Sequence, residues 1–191
     1  MPMAMKPEIR PVTPDRWDDL VELFGDRGAY SGCWCMWWRL TSAEFDKRHG
    51  TGTRRGLKRL VDTGRVPGLL AYLDDHPVGW VSVAPREEFG RIERSRQLRP
   101  VDDRPVWSIV CFYIDRKSRG RGVGSALLRG AVEYAAGKGA EVVEAYPVDT
   151  KNRNIPAAEL FTGTVEMFEA AGFQIVADRG GRRRIMRASA K

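Results

Sequence analysis

The stretch that decides the fold is Tyr113-Ile114-Asp115-Arg116-Lys117-Ser118-Arg119-Gly120-Arg121-Gly122-Val123-Gly124-Ser125-Ala126-Leu127-Leu128. An apolar segment ends at Ile114, a loop rich in glycine and arginine follows, and the spacing of an amphipathic helix starts near Gly122. A helix that begins after such a loop presents unpaired backbone N–H groups and the positive end of its dipole. This arrangement is a binding site for phosphate.

The loop itself also favours an anion. Glycines at positions 120, 122 and 124 carry no side chain that would keep a phosphate away from the backbone amides. Arg119 and Arg121 would add charge-assisted hydrogen bonds. A glycine-rich turn that binds nothing is the alternative, and the two arginines argue against it. A P-loop is excluded, because no Gly-Lys-Ser/Thr ending is present.

The spacing Arg119-x-x-Gly122-x-Gly124 resembles the coenzyme A pyrophosphate loop of the GNAT superfamily of acetyltransferases. The ending Met167-Phe168-Glu169-Ala170-Ala171-Gly172-Phe173 is similar to the final helix of that family. The resemblance implies an α/β (α+β) class fold, with a mixed, mostly antiparallel sheet flanked by helices. Its fourth and fifth strands would splay apart around the pantetheine arm. We expect one such domain over residues 1–191, with its core at about 8–188.

Apolar periodicity and capping signals place the individual elements. Helices are expected at 14–24, 41–49, 53–63, 122–138 and 165–171. Strands are expected at 8–12, 69–73, 78–84, 106–114, 142–146, 173–177 and 183–188. The polar segment 86–104 would hold one helical turn at most. In the family pattern, residues 106–114 would be strand four and residues 142–146 strand five.

The resemblance implies that acetyl-CoA is the cosubstrate and that no metal is needed. Backbone groups of Phe112 and Ile114 would hold the pantetheine. The pyrophosphate would lie on the loop residues Arg119, Gly120, Arg121, Gly122, Val123, Gly124 and Ser125. The implied chemistry is transfer of the acetyl group to an amine, which attacks the thioester directly in a ternary complex.

The residues that would handle the proton depart from the family pattern. Some members carry a glutamate on strand four, and that place is Ser108 here; many carry a tyrosine in the final helix, and that place is Phe168. Glu144, on strand five, is the candidate general base, because burial among apolar neighbours would make its carboxylate more basic. Ser108 would orient a water. Two alternatives stay open: Glu144 only faces solvent, or the protein binds coenzyme A and has lost catalysis.

Residues 26–50 form an aromatic segment on the expected acceptor side. Trp34, Trp37, Trp38 and Arg39 are expected to form one wall of the acceptor pocket, since aromatic faces bury large areas with few rotatable bonds. A satellite core beneath a long loop is the alternative. Cys33 and Cys35 also lie here, but a Cys-x-Cys pair supplies only two of the four ligands of a zinc site.

The net charge is +7, and two arginine-rich segments, 86–104 and 179–187, carry much of the positive charge. Such a surface attracts polyanions, and coenzyme A is one. An arginine of segment 86–104 would select an acceptor with a carboxylate or phosphate beside its amine. We therefore expect a small-molecule amine acceptor, with a protein N-terminus or lysine as the alternative.

Other partner classes are less favoured. The Arg-Gly sequence lies between a strand and a helix rather than in a disordered tract, which argues against nucleic acid. No apolar stretch reaches the length of about 18 residues that a membrane span needs. Three cysteines and the absence of an apolar leader favour the cytoplasm. A homodimer stays open.

Overall fold

A computed structural model describes residues 6–151 and 154–191. The strands are β1 Glu8–Pro11, β2 Gly68–Leu73, β3 His76–Pro85, β4 Trp107–Ile114, β5 Val142–Ala145, β6 Gln174–Ala177 and β7 Ile185–Ser189. The helices are α1 Trp17–Phe24, α2 Ser42–Arg48, α3 Thr51–Asp62, α4 Gly90–Glu93, α5 Val123–Gly137 and α6 Val165–Glu169. The strands form one sheet in the order β1-β2-β3-β4-β5-β7-β6. Strands β4 and β5 run parallel, and the other neighbours are antiparallel.

The predicted mixed, mostly antiparallel sheet with flanking helices is confirmed, and the boundaries shift where local chemistry decides them. The first helix begins as a 3-10 turn, Pro14–Arg16, before α1. Helix α3 starts at Thr51 rather than Thr53, directly after Gly50 with its φ of 81°. Thr41 and Glu44 form the predicted capping box of α2. Between β3 and β4 the structure has a 3-10 turn, Arg86–Glu88, and the short helix α4.

Both faces of the sheet are covered, as the burial of every residue of β2 shows. Leu69 and Ala71 belong to the cluster that α5 contributes to, while Leu70 packs with residues of α1 and α3. Successive strand residues point to opposite faces, so a strand buried on both sides reads as a continuous apolar run. No helix in the described ranges is long and apolar enough to span a membrane.

The feature that positions the site is the divergence of β4 from β5. Their parallel pairing covers three residue pairs, from Trp107–Val143 to Ile109–Ala145. Val110 is the extra residue of a bulge opposite Ser82 and Val83 of β3. The rest of β4 continues past the end of β5, and the backbone N–H of Phe112 donates to the carbonyl of Phe161 at 2.6 Å. A loop, not β5, therefore lies beside this half of β4.

Candidate active site

The loop between β4 and α5 has the backbone features that suit an anion. Gly120 and Gly122 have φ values of 73° and 77°, a left-handed conformation that glycine adopts without steric cost. In α5, Ala126 is the first residue whose backbone N–H is hydrogen-bonded; it donates to the carbonyl of Gly122 at 3.0 Å. The three preceding helical N–H groups, at positions 123–125, have no acceptor within the described ranges. These donors and the helix dipole suit a phosphate group.

The space above this loop is open. A Cβ atom added at Gly120 or Gly122 would meet no atom within 4 Å. At Gly124 the added atom would lie 3.3 Å from Cδ1 of Ile114, so this glycine allows close packing of the helix on β4. Arg119 and Arg121 are exposed, as is Ser125. Of the seven predicted loop residues, five are exposed, whereas the Val123 side chain is buried in the core and Gly124 is half-buried.

The two backbone positions expected to hold pantetheine already have partners. The N–H of Phe112 is taken by Phe161, and the carbonyl of Ile114 accepts from Nε of Arg119 at 3.3 Å. Phe161 belongs to the connection between β5 and α6. A pantetheine arm that bonds to Phe112 must therefore displace the Phe161 carbonyl.

A cavity of about 710 Å³ lies next to β4, within the size range of small-molecule sites. Aromatic rings dominate its wall: Phe24, Tyr30, Trp37, Trp38, Phe45, Trp80, Phe112, Tyr113 and Phe161. All three cysteines and three arginines, Arg91, Arg182 and Arg183, also line it. These residues come from six separate stretches of sequence, which the sheet order and the long connections bring together.

The aromatic segment divides between the cavity and the core. Trp37 and Trp38 line the cavity, as expected. Trp34 instead lies in the core, 4% exposed, with its ring centroid 6.1 Å from that of Trp17. Its indole rests on Gly28, where an added Cβ would lie 2.3 Å from Nε1. The side chain points away from the cavity because Gly28 leaves room for it beneath the loop.

Arg39 also lies outside the cavity wall. Its Nη1 donates to Glu88 at 2.6 Å, and its guanidinium lies 4.6 Å from the ring centre of Phe89. The pocket-wall role predicted for Trp34 and Arg39 therefore does not match their position, whereas Trp37 and Trp38 keep theirs as a prediction.

The cavity wall holds partly buried positive charge. Arg91 stacks on Trp37 at 3.7 Å, and Arg183 lies 5.5 Å from Trp38 and 5.6 Å from Phe161. Burial lowers the pKa of Arg183, and the neighbouring charge of Arg182 adds to the effect. Arg182 is paired with Glu159, also in the wall. Sequence analysis missed Arg183, since an arginine within a run of three carries no signal that it faces a pocket.

Several donors of this wall are buried without a partner in the part of the chain that the structure describes. They are Nε1 of Trp38, Nη2 of Arg91 and Nε of Arg183. Buried donors almost always have an acceptor, so each such exception calls for an explanation. A bound anionic group would supply an acceptor to such a donor.

Glu144 and Ser108, the candidate catalytic residues, are brought together but not at the cavity. Both are fully buried, and the hydroxyl of Tyr146 lies 2.6 Å from Oε1 of Glu144 and 2.8 Å from Oγ of Ser108. Glu144 also accepts from Arg86 at 2.7 Å and from Arg187 at 2.7 Å. This closed network ties β3, β4, β5 and β7 together. It leaves Glu144 no open side toward an acceptor, because two guanidinium groups and a phenol surround it.

Comparison with known proteins agrees with this architecture. Residues 31–163 match the model of the acetyltransferase (GNAT) family. An uncharacterized N-acetyltransferase of Methanocaldococcus jannaschii is 27% identical over 169 residues, and the match covers 87% of this chain and 60% of that protein. The chain therefore spans well under two thirds of that relative.

Solved structures share the fold at low sequence identity. The PaiA N-acetyltransferase of Thermoplasma acidophilum, solved with coenzyme A, gives a TM-score of 0.56 at 14% identity, covering 97% of this chain and 99% of that chain. The acetyltransferase YncA of Salmonella typhimurium, solved with acetyl-CoA, gives 0.53 at 16% identity, covering 98% and 95%. With its family match over more than half its length and a sheet that parts beyond Ile109, the chain belongs to the GNAT family of acetyltransferases.

Proposed function

We propose that this protein transfers the acetyl group of acetyl-CoA to the amine of a small molecule that also carries an anionic group. The observation that carries the proposal is the cavity beside β4, with its aromatic wall and its buried donors that have no acceptor among residues 6–151 and 154–191. A cavity of this size and enclosure suits a small acceptor better than an extended peptide.

The glycine-rich loop would hold the coenzyme. Amides 123–125 would bind the pyrophosphate, and Arg119 and Arg121 would add charge. Acetyl-CoA, when bound, supplies an activated thioester carbonyl to the acceptor amine. Phe112, a residue of the cavity wall whose ring packs on Phe168, would bring the end of the pantetheine arm next to the acceptor through its backbone.

The charge of the cavity indicates the acceptor class. Arg91, Arg182 and Arg183 line it, and the carboxylate of Glu159 offsets only one of these charges. An amine without an anionic group would meet net positive charge. A carboxylate on the acceptor would pair with Arg183 and accept from Trp38 Nε1, and an apolar body would pack on Trp37 and Phe161.

The same positive charge bears on proton transfer. An amine attacks only as the neutral base, and nearby cations disfavour its protonated form. The arginines would therefore lower the cost of removing the proton before attack. This argument needs no dedicated general base, in keeping with the closed ion-pair network around Glu144.

A coenzyme-binding protein with weak catalysis is the second candidate. One observation favours it: Phe168, which has no proton to donate, stands where many members of the family carry a tyrosine, and it is fully buried against Phe173.

Two assays test the proposal. Calorimetry with coenzyme A measures binding, and release of free thiol from acetyl-CoA measures turnover over pairs of amines. Each pair would be an aromatic amino acid and its decarboxylated amine. We expect kcat/KM to fall by about 10-fold or more without the carboxylate, the scale of one charged hydrogen bond. Equal rates would remove the anionic group from the proposal, and binding without turnover on any amine would favour the second candidate.

A further inference from the structure

We infer that Cys35 is a reactive thiolate in the cavity wall and that hydroperoxides oxidise it to a disulfide with Cys111. This modification site does not depend on the proposed acetyl transfer. It uses the Cys-x-Cys motif, which the acetyltransferase chemistry does not.

The surroundings of the Cys35 sulfur are those of an anion. Nε1 of Trp80 donates to it at 3.2 Å. Cys111, which pairs with Ser82 in the register of β3 and β4, packs against the same cluster as Cys35 and lines the same cavity wall. The positive charge of Arg39 also acts on the Cys35 thiol. Two of the buried nitrogens of Arg39, Nε and Nη2, have no hydrogen-bond partner in the described ranges. A thiolate at Cys35 would give that cation a second negative neighbour besides Glu88.

The backbone is held in an unfavourable conformation to place this sulfur. Trp34 and Cys35 are consecutive non-glycine residues with φ values of 44° and 54°. Left-handed geometry is disfavoured for such residues, and it persists only where the surroundings enforce it. Here it turns the Trp34 indole into the core and the Cys35 sulfur toward β3 and β4.

The three thiols of the cavity differ in character. Hydrogen bonds from Cys111, Trp80 and Ser82 and the charge of Arg39 lower the pKa of Cys35 to about 7, against the opposing effect of burial. The hydrogen bond to Cys35 and burial raise the pKa of Cys111 well above its ordinary value. Burial and the neighbouring Cys35 raise the pKa of Cys33 to about 11. Cys35 is thus the thiolate that an oxidant meets first, and Cys111 is the neighbouring thiol with which its sulfenic acid would condense.

The reaction balances with a hydroperoxide as the oxidant. The Cys35 thiolate attacks one peroxide oxygen, the O–O bond breaks, and the leaving oxygen takes a proton to give water or an alcohol. The Cys111 thiol then attacks the sulfenic acid sulfur, the S–O bond breaks, and water leaves. The two cysteines have lost two electrons and the peroxide has gained them. The product joins the aromatic loop to β4 inside the cavity, where both residues line the wall.

Thiol counting and peptide mapping test the inference without any activity assay. Wild-type protein is treated with hydrogen peroxide at low excess, denatured and titrated for thiols. We expect the count to fall from three to one, with Cys35 and Cys111 in one non-reduced peptide and full recovery after dithiothreitol. The same assay on Cys33→Ser, the matched control, should show loss of both remaining thiols.

Cys111→Ser separates the two steps. In that variant we expect no internal disulfide and a sulfenic acid on Cys35 that dimedone traps. Three results would overturn the inference: a disulfide that includes Cys33, a folded wild-type protein that keeps all three thiols, or equal reactivity of Cys33 and Cys35 toward dimedone in Cys111→Ser. Circular dichroism on each variant shows that the fold is intact.

Discussion

The molecule uses arginines in two opposite ways. Arg86 and Arg187, both buried, lie at the closed end of the β4–β5 pair, and together they donate to three carboxylates, a phenol and a carbonyl. Arg91 and Arg183, both half-buried, line the cavity at the open end, and each has a buried nitrogen without an acceptor in the described ranges. The donors of the first pair hold the strands together, whereas the second pair has donors left for a ligand in the cavity.

The strongest test of this contrast is Glu144→Gln. Removing one member of a buried ion pair leaves the partner charges uncompensated, which costs about 3–5 kcal/mol of unfolding free energy. We expect that loss here, because two guanidinium groups converge on Glu144. Urea unfolding followed by circular dichroism measures it.

Glu141→Gln is the matched control. Glu141 precedes the same strand, but its ion pair with Lys191 is exposed at both ends, so we expect no measurable change in the unfolding midpoint. A stable Glu144→Gln protein that had lost turnover alone would instead return Glu144 to the role of general base.

Replacing a cavity arginine should have the opposite effect: activity should fall while stability stays nearly unchanged. Arg183→Met keeps the packing of a long side chain between Trp38 and Phe161 but removes the charge. We expect kcat/KM for an anionic acceptor to fall about 10- to 100-fold, the worth of one charged hydrogen bond, and the unfolding midpoint to stay within about 2 °C. Steady-state kinetics and thermal unfolding on the same preparation separate the two effects.

Arg179→Gln controls for charge in that arginine-rich run. Arg179 is half-buried, does not line the cavity, and donates to the backbone carbonyls of Gln97, Arg99 and Pro100. Its loss changes the net charge by the same amount and removes no side chain from the cavity wall. An equal fall in kcat/KM in both variants would show that the run acts through overall charge and not through a contact of Arg183.

The same comparison between used and unused hydrogen-bond donors applies to the backbone amides of the glycine-rich loop. Gly122→Ala places a side chain at a φ of 77°, where phosphate is expected to reach amides 123–125. We expect coenzyme A affinity to fall about 10-fold, since both the loop conformation and the approach of the phosphate change. Isothermal titration calorimetry measures this affinity.

Gly139→Ala, just past the other end of α5, supplies the comparison. Gly139 has a φ of 88°, and an added Cβ there also meets nothing within 4 Å. Both changes should cost about 1 kcal/mol of stability, the usual penalty for a left-handed alanine. Only Gly122→Ala should weaken coenzyme binding; an equal loss in both variants would mean that strain, not phosphate contact, causes it.

The sequence could predict the loop but not the cavity, and the reason is the distance along the chain. The loop needs a strand end, three glycines and a helix start, which all lie within 16 consecutive residues. The environment of Glu144 depends on Arg86 and Arg187, which are 58 and 43 positions away. Apolar neighbours in sequence suggested a buried carboxylate, and only the sheet register shows which cations surround it.

The aromatic segment shows the same limit at short range. Periodicity cannot divide Trp34 from Trp37 and Trp38, because the segment forms turns, not a helix or strand. Left-handed residues and the opening over Gly28 decide the direction of Trp34. Such turns depend on packing against Trp17 and Phe24, which no local pattern of the segment specifies.

Cys35 is an exception to the rule that cavity groups lack hydrogen-bond partners. It lines the cavity, and its sulfur already accepts a hydrogen bond from Trp80. That bond stabilises the thiolate and so favours its reactivity.

Because the pKa of Cys35 is about 7, the rate of its alkylation by iodoacetamide should rise about tenfold per pH unit below pH 7 and level off above it. The charged and titratable neighbours, Arg39, Cys33 and Cys111, do not change state in that range, because both thiols have raised pKa values and arginine stays protonated. In Trp80→Phe, which removes the indole donor, the midpoint should move to higher pH. Cys33→Ser should leave it nearly unchanged. If the wild-type midpoint lies near that of an ordinary thiol, the donors around Cys35 only pack against its sulfur. Cys35 would then behave like Arg86 and Arg187, whose satisfied hydrogen bonds serve the fold alone.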